Sequence, residues 1–328
     1  MLPALDDLLA TARVVSLPLV TRFRGIEQRE ALLMEGPNGW TEFSPFTEYA
    51  DEEAAAWLSA AIDFGWGGTP TLLRDSVPVN ATLPSVAAHE VAAVLERFAG
   101  CRTVKVKVAE PAQVLADDVA RVAAAREFLG PEGRIRIDAN AAWTVDEAER
   151  AIHALAGYDL EYVEQPCASV EELAELRERT GYMDIPIAAD ESVRKAEDPL
   201  AVARAGAADI LVIKAQPLGG IDAALRIVAG AGLPAVVSSA LETSVGLSMG
   251  LHLAAAITDL PYDCGLATAS LLAGDVTDEP LLAIDGRIEV RRVVPSSVLL
   301  DTSAASRDRE RWWLARLERC HAVLRSEE

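Results

Sequence analysis

The sequence is short of the residues that mark secreted, zinc-binding and nucleic-acid-binding proteins. Its 4 cysteines are widely spaced and form neither a CxxC pair nor a cluster with the 4 histidines, which favours reduced thiols over disulfides or a zinc site. Positive charge is also scarce, because 30 lysines and arginines face 51 acidic residues. The formal net charge of -21 would repel nucleic acids and anionic membranes at long range.

Uninterrupted apolar segments are missing as well. The stretch from residue 231 to 260 is broken by Pro234 and Glu242, and the N-terminal MLPALDDLLA has no cationic leader. We therefore expect a cytoplasmic protein without nucleic-acid or membrane partners. A Gly-rich phosphate turn after an early strand is also lacking, which disfavours an open, doubly wound nucleotide-binding sheet.

Two patterns of hydrophobicity divide the chain. Over residues 1–72, strand-like runs with turn signals at 24–25 and 36–39 precede a helix-like segment at 51–64, which predicts a small α+β capping domain. Over residues 73–289, short apolar runs alternate with Ala-rich amphipathic segments, which is typical of an α/β barrel domain. A tail of about 290–328 begins with short strands and ends in an amphipathic helix at 307–324. We expect this tail to pack back on the capping domain.

Eight apolar runs of strand length lie in the second part of the chain. They are residues 77–83, 103–108, 134–138, 160–164, 185–190, 209–214, 234–239 and 264–267. Eight strands close a parallel barrel, so the predicted fold class is α/β with a (β/α)8-type barrel. Thr144 and Ser169 are each followed three residues later by a glutamate, a capping-box pattern that predicts two helix starts.

A charged side chain stands at the end of successive runs: Lys107, Asp138, Glu164, Asp190 and Lys214. The steps between them are about the length of one strand, one helix and two turns. Because the carboxyl ends of all strands share one face of a parallel barrel, we expect these side chains to converge there.

The lysines are candidates for acid-base chemistry. Lys105 and Lys107 alternate with valines, which sends both amines to the same face of the strand. Burial and mutual repulsion would lower a lysine pKa toward neutrality, so the amine could act as a base. Lys214 lies four runs beyond Lys107 and would face it across the barrel. The alternative is a buried ion-pair network, in which Lys214 pairs with Asp190 or Asp209.

The carboxylates are candidates for a metal site. Asp138, Glu164 and Asp190 offer hard oxygen ligands on adjacent strands, which favours Mg²⁺, with Mn²⁺ also possible. The alternative for each one is a helix N-cap at a strand-to-helix turn. Asn140 and Glu191 follow the proposed ligands by one or two residues, and we expect them to orient the ligands rather than to bind the ion.

The motifs at these positions resemble the enolase superfamily, in its muconate-lactonizing subgroup, and most closely its o-succinylbenzoate synthases. In chain order they are Lys105-Val-Lys107, Asp138-Ala-Asn140, Glu164-Gln-Pro166, Asp190-Glu-Ser192, Lys214-Ala-Gln-Pro-Leu-Gly-Gly220 and Ser238-Ser-Ala-Leu-Glu-Thr-Ser244. Any one of them alone would be weak, but all of them in this order are specific for the superfamily.

The resemblance implies a magnesium-dependent hydro-lyase of menaquinone biosynthesis that acts on a small dicarboxylate. Its substrate would be 2-succinyl-6-hydroxy-2,4-cyclohexadiene-1-carboxylate, dehydrated to o-succinylbenzoate. Lys107 would remove the proton alpha to the carboxylate, the metal would stabilise the enediolate, and Lys214 would support it from the opposite face. Lys105 would tune Lys107. Ser238 and Ser239 would line the substrate pocket, and Arg22 and Arg24 could reach the succinyl carboxylate.

Three alternatives stay open. A racemase of N-succinylamino acids would use the same two lysines to exchange a proton across one plane. A dipeptide epimerase fits less well, because that group carries an Asp-x-Asp where this chain has Asp263-Cys-Gly-Leu266. A noncatalytic barrel could serve as a binding scaffold. The sequence predicts no oligomeric state.

Overall fold

The computed structural model describes residues 2–23, 25–194 and 198–327 of the chain. Within these residues, the strands form a three-stranded antiparallel sheet, a seven-stranded parallel sheet and a two-stranded ribbon. The parallel sheet has the strand order of a barrel, since each strand neighbours the next one along the chain. The predicted α/β barrel-type fold class is thereby confirmed.

The antiparallel sheet comes from the first part of the chain. Its elements are α1 Leu5–Thr11, β1 Arg13–Phe23, β2 Ile26–Gly36, β3 Gly39–Phe43 and α2 Asp51–Trp66. The turn between β2 and β3 requires glycine at position 36, because a Cβ atom there would lie 2.3 Å from the carbonyl oxygen of Gly65. This contact lets the end of α2 pack directly against the β2–β3 hairpin.

The rest of the chain alternates strands with helices. Its elements are β4 Ser76–Pro78, β5 Ala81–Leu83, α3 Val91–Leu95, β6 Thr103–Lys107, α4 Leu115–Leu129, β7 Arg134–Asp138, α5 Val145–Leu155, β8 Leu160–Glu164, α6 Val170–Thr180, β9 Ile187–Ala189, α7 Glu191–Arg194, α8 Ala201–Arg204, β10 Ile210–Ile213, α9 Ile221–Ala231, β11 Ala235–Val237, α10 Ser244–Ala256, β12 Arg287–Glu289, α11 Ser297–Thr302 and α12 Arg307–Glu327. Both predicted capping boxes are confirmed, because Thr144 and Ser169 accept hydrogen bonds from the backbone N–H groups at the starts of α5 and α6.

Two of the eight predicted strands differ from expectation. The first run is split, since β4 pairs antiparallel with β12 and only β5 joins the parallel sheet. The eighth run is not a strand. Cys264 bridges Val79 on one side and Gly265 bridges Ser238 on the other, after which the chain turns into a 3-10 helix at Thr268–Leu271. The two edges of the parallel sheet are therefore joined by single-residue bridges and not by an eighth strand. The chain turns into the 3-10 helix before it can pair over a longer stretch.

The final helix packs on the first sheet and on α2. Trp313 is fully buried and meets the ring of Phe43 edge-on, with the ring centres 5.9 Å apart. Leu317 is buried beside it, Trp312 and Leu314 are partly buried, and His321 contacts the carbonyl oxygen of Pro3 at 2.9 Å. The predicted contact of this helix with the first part of the chain is present, and the division at residues 72 and 289 stays a prediction.

In the part of the chain that the structure describes, none of the helices combines the length and the apolar character needed to cross a bilayer.

Candidate active site

Parallel register brings the charged side chains together at one end of the sheet. Lys107 is paired with Asp138, and Asp138 with Glu164, so the ends of β6, β7 and β8 are level. Side chains at equal register on adjacent parallel strands point to the same face. Asp190 directly follows β9 and Lys214 directly follows β10, which extends the row.

Lys105 lies beneath this row and joins two of its carboxylates. Its Nζ atom is 2.9 Å and 3.1 Å from the two carboxylate oxygens of Glu164, and 3.3 Å from Oδ2 of Asp138. Burial alone would lower the pKa of Lys105, but the charges of Glu164 and Asp138 outweigh it and raise the pKa above its ordinary value. Lys105 is therefore a fixed cation near neutral pH.

Lys107 stands above it and has a different environment. Its Nζ atom lies 2.5 Å from Oδ2 of Asp138 and 2.7 Å from Oδ1 of Asn140. Burial lowers the pKa of the Lys107 amine and Lys105 lowers it further, while Asp138 opposes the shift; the net pKa is below the ordinary value. Of this pair of lysines, Lys107 is thus the one suited to accept a proton.

Asp190 is held by two cations. Lys214 donates a short hydrogen bond to its Oδ2 atom, and Nε of Arg194 lies 3.1 Å from Oδ1. Arg194 also donates to Oε1 of Glu191 at 2.6 Å and to the hydroxyl of Tyr49 at 3.2 Å. The predicted Lys214–Asp190 ion pair is therefore present, and a guanidinium shares the carboxylate with it.

The three carboxylates differ in how well the protein compensates their charge. Burial would raise the pKa of Asp138, but Lys107 and Lys105 outweigh it and hold the pKa well below its usual range. Lys214 and Arg194 likewise hold the pKa of Asp190 low against burial. Glu164 behaves oppositely, because burial and the adjacent Asp138 charge raise its pKa to about 7. Glu164, at the centre of the row, thus holds a proton more tightly than the carboxylates on either side of it.

A small cavity lies against this row. Its volume is about 30 Å³, and its walls include Lys105, Lys107, Lys214 and Asn140. Lys107 and Lys214 face the same cavity from strands β6 and β10, as the sequence predicts.

Two family models match the chain. The model described as enolase C-terminal domain-like matches residues 87–295, and the one described as enolase N-terminal domain-like matches residues 14–65. The first match alone spans more than half of the chain. The chain belongs to the enolase superfamily. The resemblance that the motifs carry is thus confirmed.

Curated relatives extend this membership over nearly the full length. The chain is 54% identical over 323 residues to an o-succinylbenzoate synthase from Mycolicibacterium smegmatis, with 98% of each chain covered. It is 57% identical over 283 residues to an o-succinylbenzoate synthase from Thermobifida fusca, with 86% of this chain and 88% of the relative covered.

A solved structure shows the same fold at lower identity. The muconate lactonizing enzyme from Pseudomonas putida has a TM-score of 0.74 and 22% sequence identity, and the match covers 90% of this chain and 98% of that one.

Enolase-superfamily sites use a lysine or histidine base together with one or two Mg²⁺ ions. In the described residues, no group of three or more Asp, Glu, His or Cys side chains is arranged as a metal site. Ammonium and guanidinium groups pair with the carboxylates of Asp138, Glu164 and Asp190 instead. The donor chemistry nevertheless fits a hard dication, since burial and the charge of Asp138 disfavour the ionised form of Glu164. Among the described residues, the buried Oε2 atom of Glu191 also has no hydrogen-bond partner.

The predicted residues that surround the row fall into two groups. Ser238 and Ser239 line the cavity, and Asn140 joins Lys107 to Glu191, whose Oε1 atom is 3.4 Å from Nδ2 of Asn140. Arg22 is exposed and does not line the cavity. Successive side chains of a strand point to opposite faces, and on β1 it is Phe23, the neighbour of Arg22, that points inward and lines the cavity. Arg24 lies outside the described residues.

Several wall residues carry no signal in the sequence. Phe23 and Phe46 come from the first part of the chain, and Thr268 hydrogen-bonds to Ser239 with 2.8 Å between the hydroxyl oxygens. An isolated phenylalanine or threonine is indistinguishable from a core residue before the fold is known. Arg194 could have been predicted from the sequence. It follows Glu191 by three residues and Asp190 by four, the spacings at which side chains meet on one face of a helix.

Asp263, the first residue of the segment that departs from the epimerase Asp-x-Asp pattern, lies at the opposite end of the barrel. It accepts a hydrogen bond from Oγ1 of Thr103 at 2.6 Å and pairs with Arg134 at 2.6 Å. Thr103 begins β6, whereas Lys107 ends it. Asp263 is therefore an ion-pair partner at the barrel floor, away from the lysines.

Proposed function

We propose that this chain is an o-succinylbenzoate synthase, a hydro-lyase that removes water from 2-succinyl-6-hydroxy-2,4-cyclohexadiene-1-carboxylate. The observation that carries the proposal is that Lys107 and Lys214 line one cavity beside three buried carboxylates. The relatives of 54% and 57% identity bear the synthase name, which supports this substrate over others of the superfamily. The proposal includes a cytoplasmic location, with which the four free thiols agree.

Lys107 is the base in this proposal. Its neutral amine takes the proton from the ring carbon that bears the carboxylate, and the electrons left behind move into the carboxylate as an enolate. A base works best when its pKa is near the working pH, so the lowered pKa of the buried Lys107 amine favours this role. Asn140 holds the amine in place through its Oδ1 atom.

The second half of the reaction uses the same proton. The carbon–oxygen bond to the ring hydroxyl breaks as the enolate electrons form the new ring double bond. The Lys107 ammonium returns its proton to the departing hydroxyl, so that water and an aromatic ring are the products. Lys214 lines the same cavity and donates a hydrogen bond to Asp190, and in this proposal its ammonium group stabilises the anion.

Asp138, Glu164 and Asp190 would hold the divalent cation, with Mg²⁺ as our choice. When bound, this ion supplies positive charge next to the substrate carboxylate, where negative charge grows during proton removal. Lys105 stays protonated between Glu164 and Asp138 and thereby favours the neutral form of Lys107.

The experiment incubates the purified protein and Mg²⁺ with the cyclohexadiene substrate and, separately, with N-succinylamino acids in heavy water. We expect fast aromatisation, followed by ultraviolet absorbance, with little racemisation. Racemisation faster than aromatisation would favour the racemase. Absence of both reactions and of deuterium exchange at the alpha carbon would overturn the proposal in favour of a scaffold.

Two matched variants test the role of Lys107. Lys107→Ala removes the amine, and we expect it to abolish both reactions. Lys107→Arg keeps a positive charge beside Asp138, but a guanidinium has a pKa above about 12 and does not act as a base near neutral pH. We therefore expect Lys107→Arg to be as inactive as the alanine variant. Substantial turnover by Lys107→Arg would mean that Lys107 acts only through its charge.

A further inference from the structure

A buried arginine behind the cavity connects the first part of the chain to the barrel. Arg29 lies on β2 and is only 3% exposed. Its Nε atom donates to the carbonyl oxygen of Leu241 at 3.1 Å, and one Nη2 atom donates to the carbonyl oxygen of Ala240 at 3.3 Å. The same Nη2 atom donates to the hydroxyl of Ser44 at 3.0 Å and, through a short hydrogen bond, to the Ser44 carbonyl oxygen. One guanidinium thus joins two segments that are far apart in sequence.

Both segments are walls of the cavity. Ala240 and Leu241 line one side, and Phe46, two residues after Ser44, lines another. The guanidinium carbon of Arg29 lies 4.7 Å from the centre of the Phe46 ring, so the arginine also supports that ring directly. The relative position of these two walls therefore depends on Arg29.

The Ala240–Leu241 wall needs such support. Leu241 has a φ of 65°, a left-handed conformation that is strained for a leucine. Strained residues persist where the surroundings hold them in place. The carbonyl oxygens of Ala240 and Leu241, just before and just after the strained φ angle, both accept hydrogen bonds from Arg29.

A second buried side chain continues the connection. Ser44 donates to Oε1 of Glu42 at 2.6 Å, and Oε2 of Glu42 accepts from the hydroxyl of Thr243 at 2.6 Å and the backbone N–H of Gly246 at 3.1 Å. Thr243 is the N-cap of α10, which begins at Ser244. Glu42 therefore holds the start of α10 from the opposite side of the interface. We name Arg29, Ser44, Glu42 and Thr243 the buried latch.

We propose that Arg29 is a positioning residue for the active site, which sets the spacing between the Phe46 wall and the Ala240–Leu241 wall through the buried latch. Arg29 does not line the cavity, so it acts through these walls rather than by touching the substrate. Lys107 ends β6 and Lys214 directly follows β10, so neither lysine belongs to the two segments that Arg29 joins. Loss of Arg29 therefore changes substrate binding more than the chemical step.

Steady-state kinetics test this with Arg29→Met and a control, Arg309→Met. Arg309 pairs with Glu30, the neighbour of Arg29 on β2, and does not line the cavity. We expect Arg29→Met to raise KM about tenfold or more, with a smaller fall in kcat, because a displaced wall weakens binding. Arg309→Met should leave both constants near those of the unchanged protein. A smaller folded fraction would lower only the apparent kcat, so a purely structural role predicts no change in KM.

The kinetic readout rests on the proposed function, and hydrogen exchange does not. The backbone N–H groups of Ala240, Thr243 and Gly246 are bonded to Glu242 or Glu42. We expect Arg29→Met to accelerate exchange over residues 240–246 about 10- to 100-fold, the equivalent of one lost charge-assisted hydrogen bond. Arg309→Met should not change it. If the unchanged protein forms no o-succinylbenzoate, the proposed function fails. Hydrogen exchange alone then tests whether Arg29 holds residues 240–246 in place.

A conservative variant covers failure of the methionine variant to fold. Arg29→Lys keeps the charge, but all of its hydrogens are on one nitrogen, whereas the acceptors are divided between Nε and Nη2. We expect faster exchange and a raised KM for Arg29→Lys as well. Exchange and KM equal to those of Arg309→Met would overturn the proposal.

Discussion

The buried latch contains an acid whose proton should control the stability of the protein near neutral pH. Glu42 is fully buried, and burial together with the charge of Glu242 raises its pKa from 4.5 to about 7, against the opposing effects of Ser44, Thr243 and Arg29. The folded protein therefore keeps the Glu42 proton between about pH 4.5 and 7, while the unfolded chain releases it.

The sign and size of the effect follow from this difference. A group that binds its proton more tightly in the folded state makes stability fall as pH rises, and each unit of pKa difference is worth about 1.4 kcal/mol. Below pH 4.5 both states hold the proton and Glu42 contributes no pH dependence. Above pH 7 the full penalty applies, which amounts to about 3 kcal/mol for the rise to 7. Glu42→Gln has the shape of the protonated acid and does not titrate, so it should escape the penalty.

Denaturant unfolding of both proteins at pH 5, 6, 7 and 8, followed by tryptophan fluorescence, measures the effect. The free energy of unfolding of Glu42→Gln minus that of the unchanged protein should increase by about 2.5 kcal/mol between pH 5 and pH 8, because a small part of the penalty is already present at pH 5. Glu30→Gln is the control, because its neighbours Arg309 and Trp313 lower the pKa of Glu30. A lowered pKa matters only below the unfolded value, so the Glu30→Gln difference should be constant over this range. Parallel curves for Glu42→Gln and the unchanged protein would refute the reasoning.

Two further predictions concern packing. Gly265→Ala would place a Cβ atom 2.6 Å from Oγ of Ser238. We expect this crowding to lower the free energy of unfolding, measured with denaturant, by about 1–3 kcal/mol and to raise KM. An unchanged free energy of unfolding together with an unchanged KM would contradict the crowding. Trp313→Ala removes a fully buried ring between α12 and β3. We expect the free energy of unfolding, measured by heat and by denaturant, to fall by about 3–5 kcal/mol. A fall of less than about 1 kcal/mol would mean that the packing of α12 on the first sheet does not depend on this ring.

The row of charged residues could be predicted from the sequence because local rules determine it. Alternation along β6 sends Lys105 and Lys107 to the same side, and level register then puts Asp138 and Glu164 beside them. The capping boxes at Thr144 and Ser169 are equally local, since each involves residues three apart. Signals of this kind need only a strand or a helix to form, and both follow from patterns of a few residues.

The walls of the cavity could not be predicted, because they depend on contacts between distant segments. Arg29 reaches carbonyl groups 211 and 212 residues further along the chain. Its neighbours in sequence give no sign of this, and backbone carbonyl acceptors have no side-chain signature. On β1, Phe23 lines the cavity wall and its neighbour Arg22 is exposed, so a contact of Arg22 with the substrate stays a prediction. The strand predicted at residues 264–267 is wrong for a related reason. The sequence shows that this run is apolar, but it does not show where the chain leaves the sheet.

Both ends of the barrel interior carry buried ions, and the rim differs from the floor in having a lysine with a lowered pKa among its cations. At the floor, Arg136 is fully buried, lies 2.5 Å from Oε2 of Glu161 and 2.6 Å from the carbonyl oxygen of Asp263, and stacks 4.8 Å from the ring centre of Tyr162. A guanidinium keeps its proton at any pH the fold survives, so this end has a permanent charge. At the rim, Lys107 has an amine whose proton can leave. Strand β7 contributes to both ends, with Arg136 at the floor and Asp138 at the rim. Lys107→Arg would therefore make the rim resemble the floor, with its charge kept and its chemistry lost.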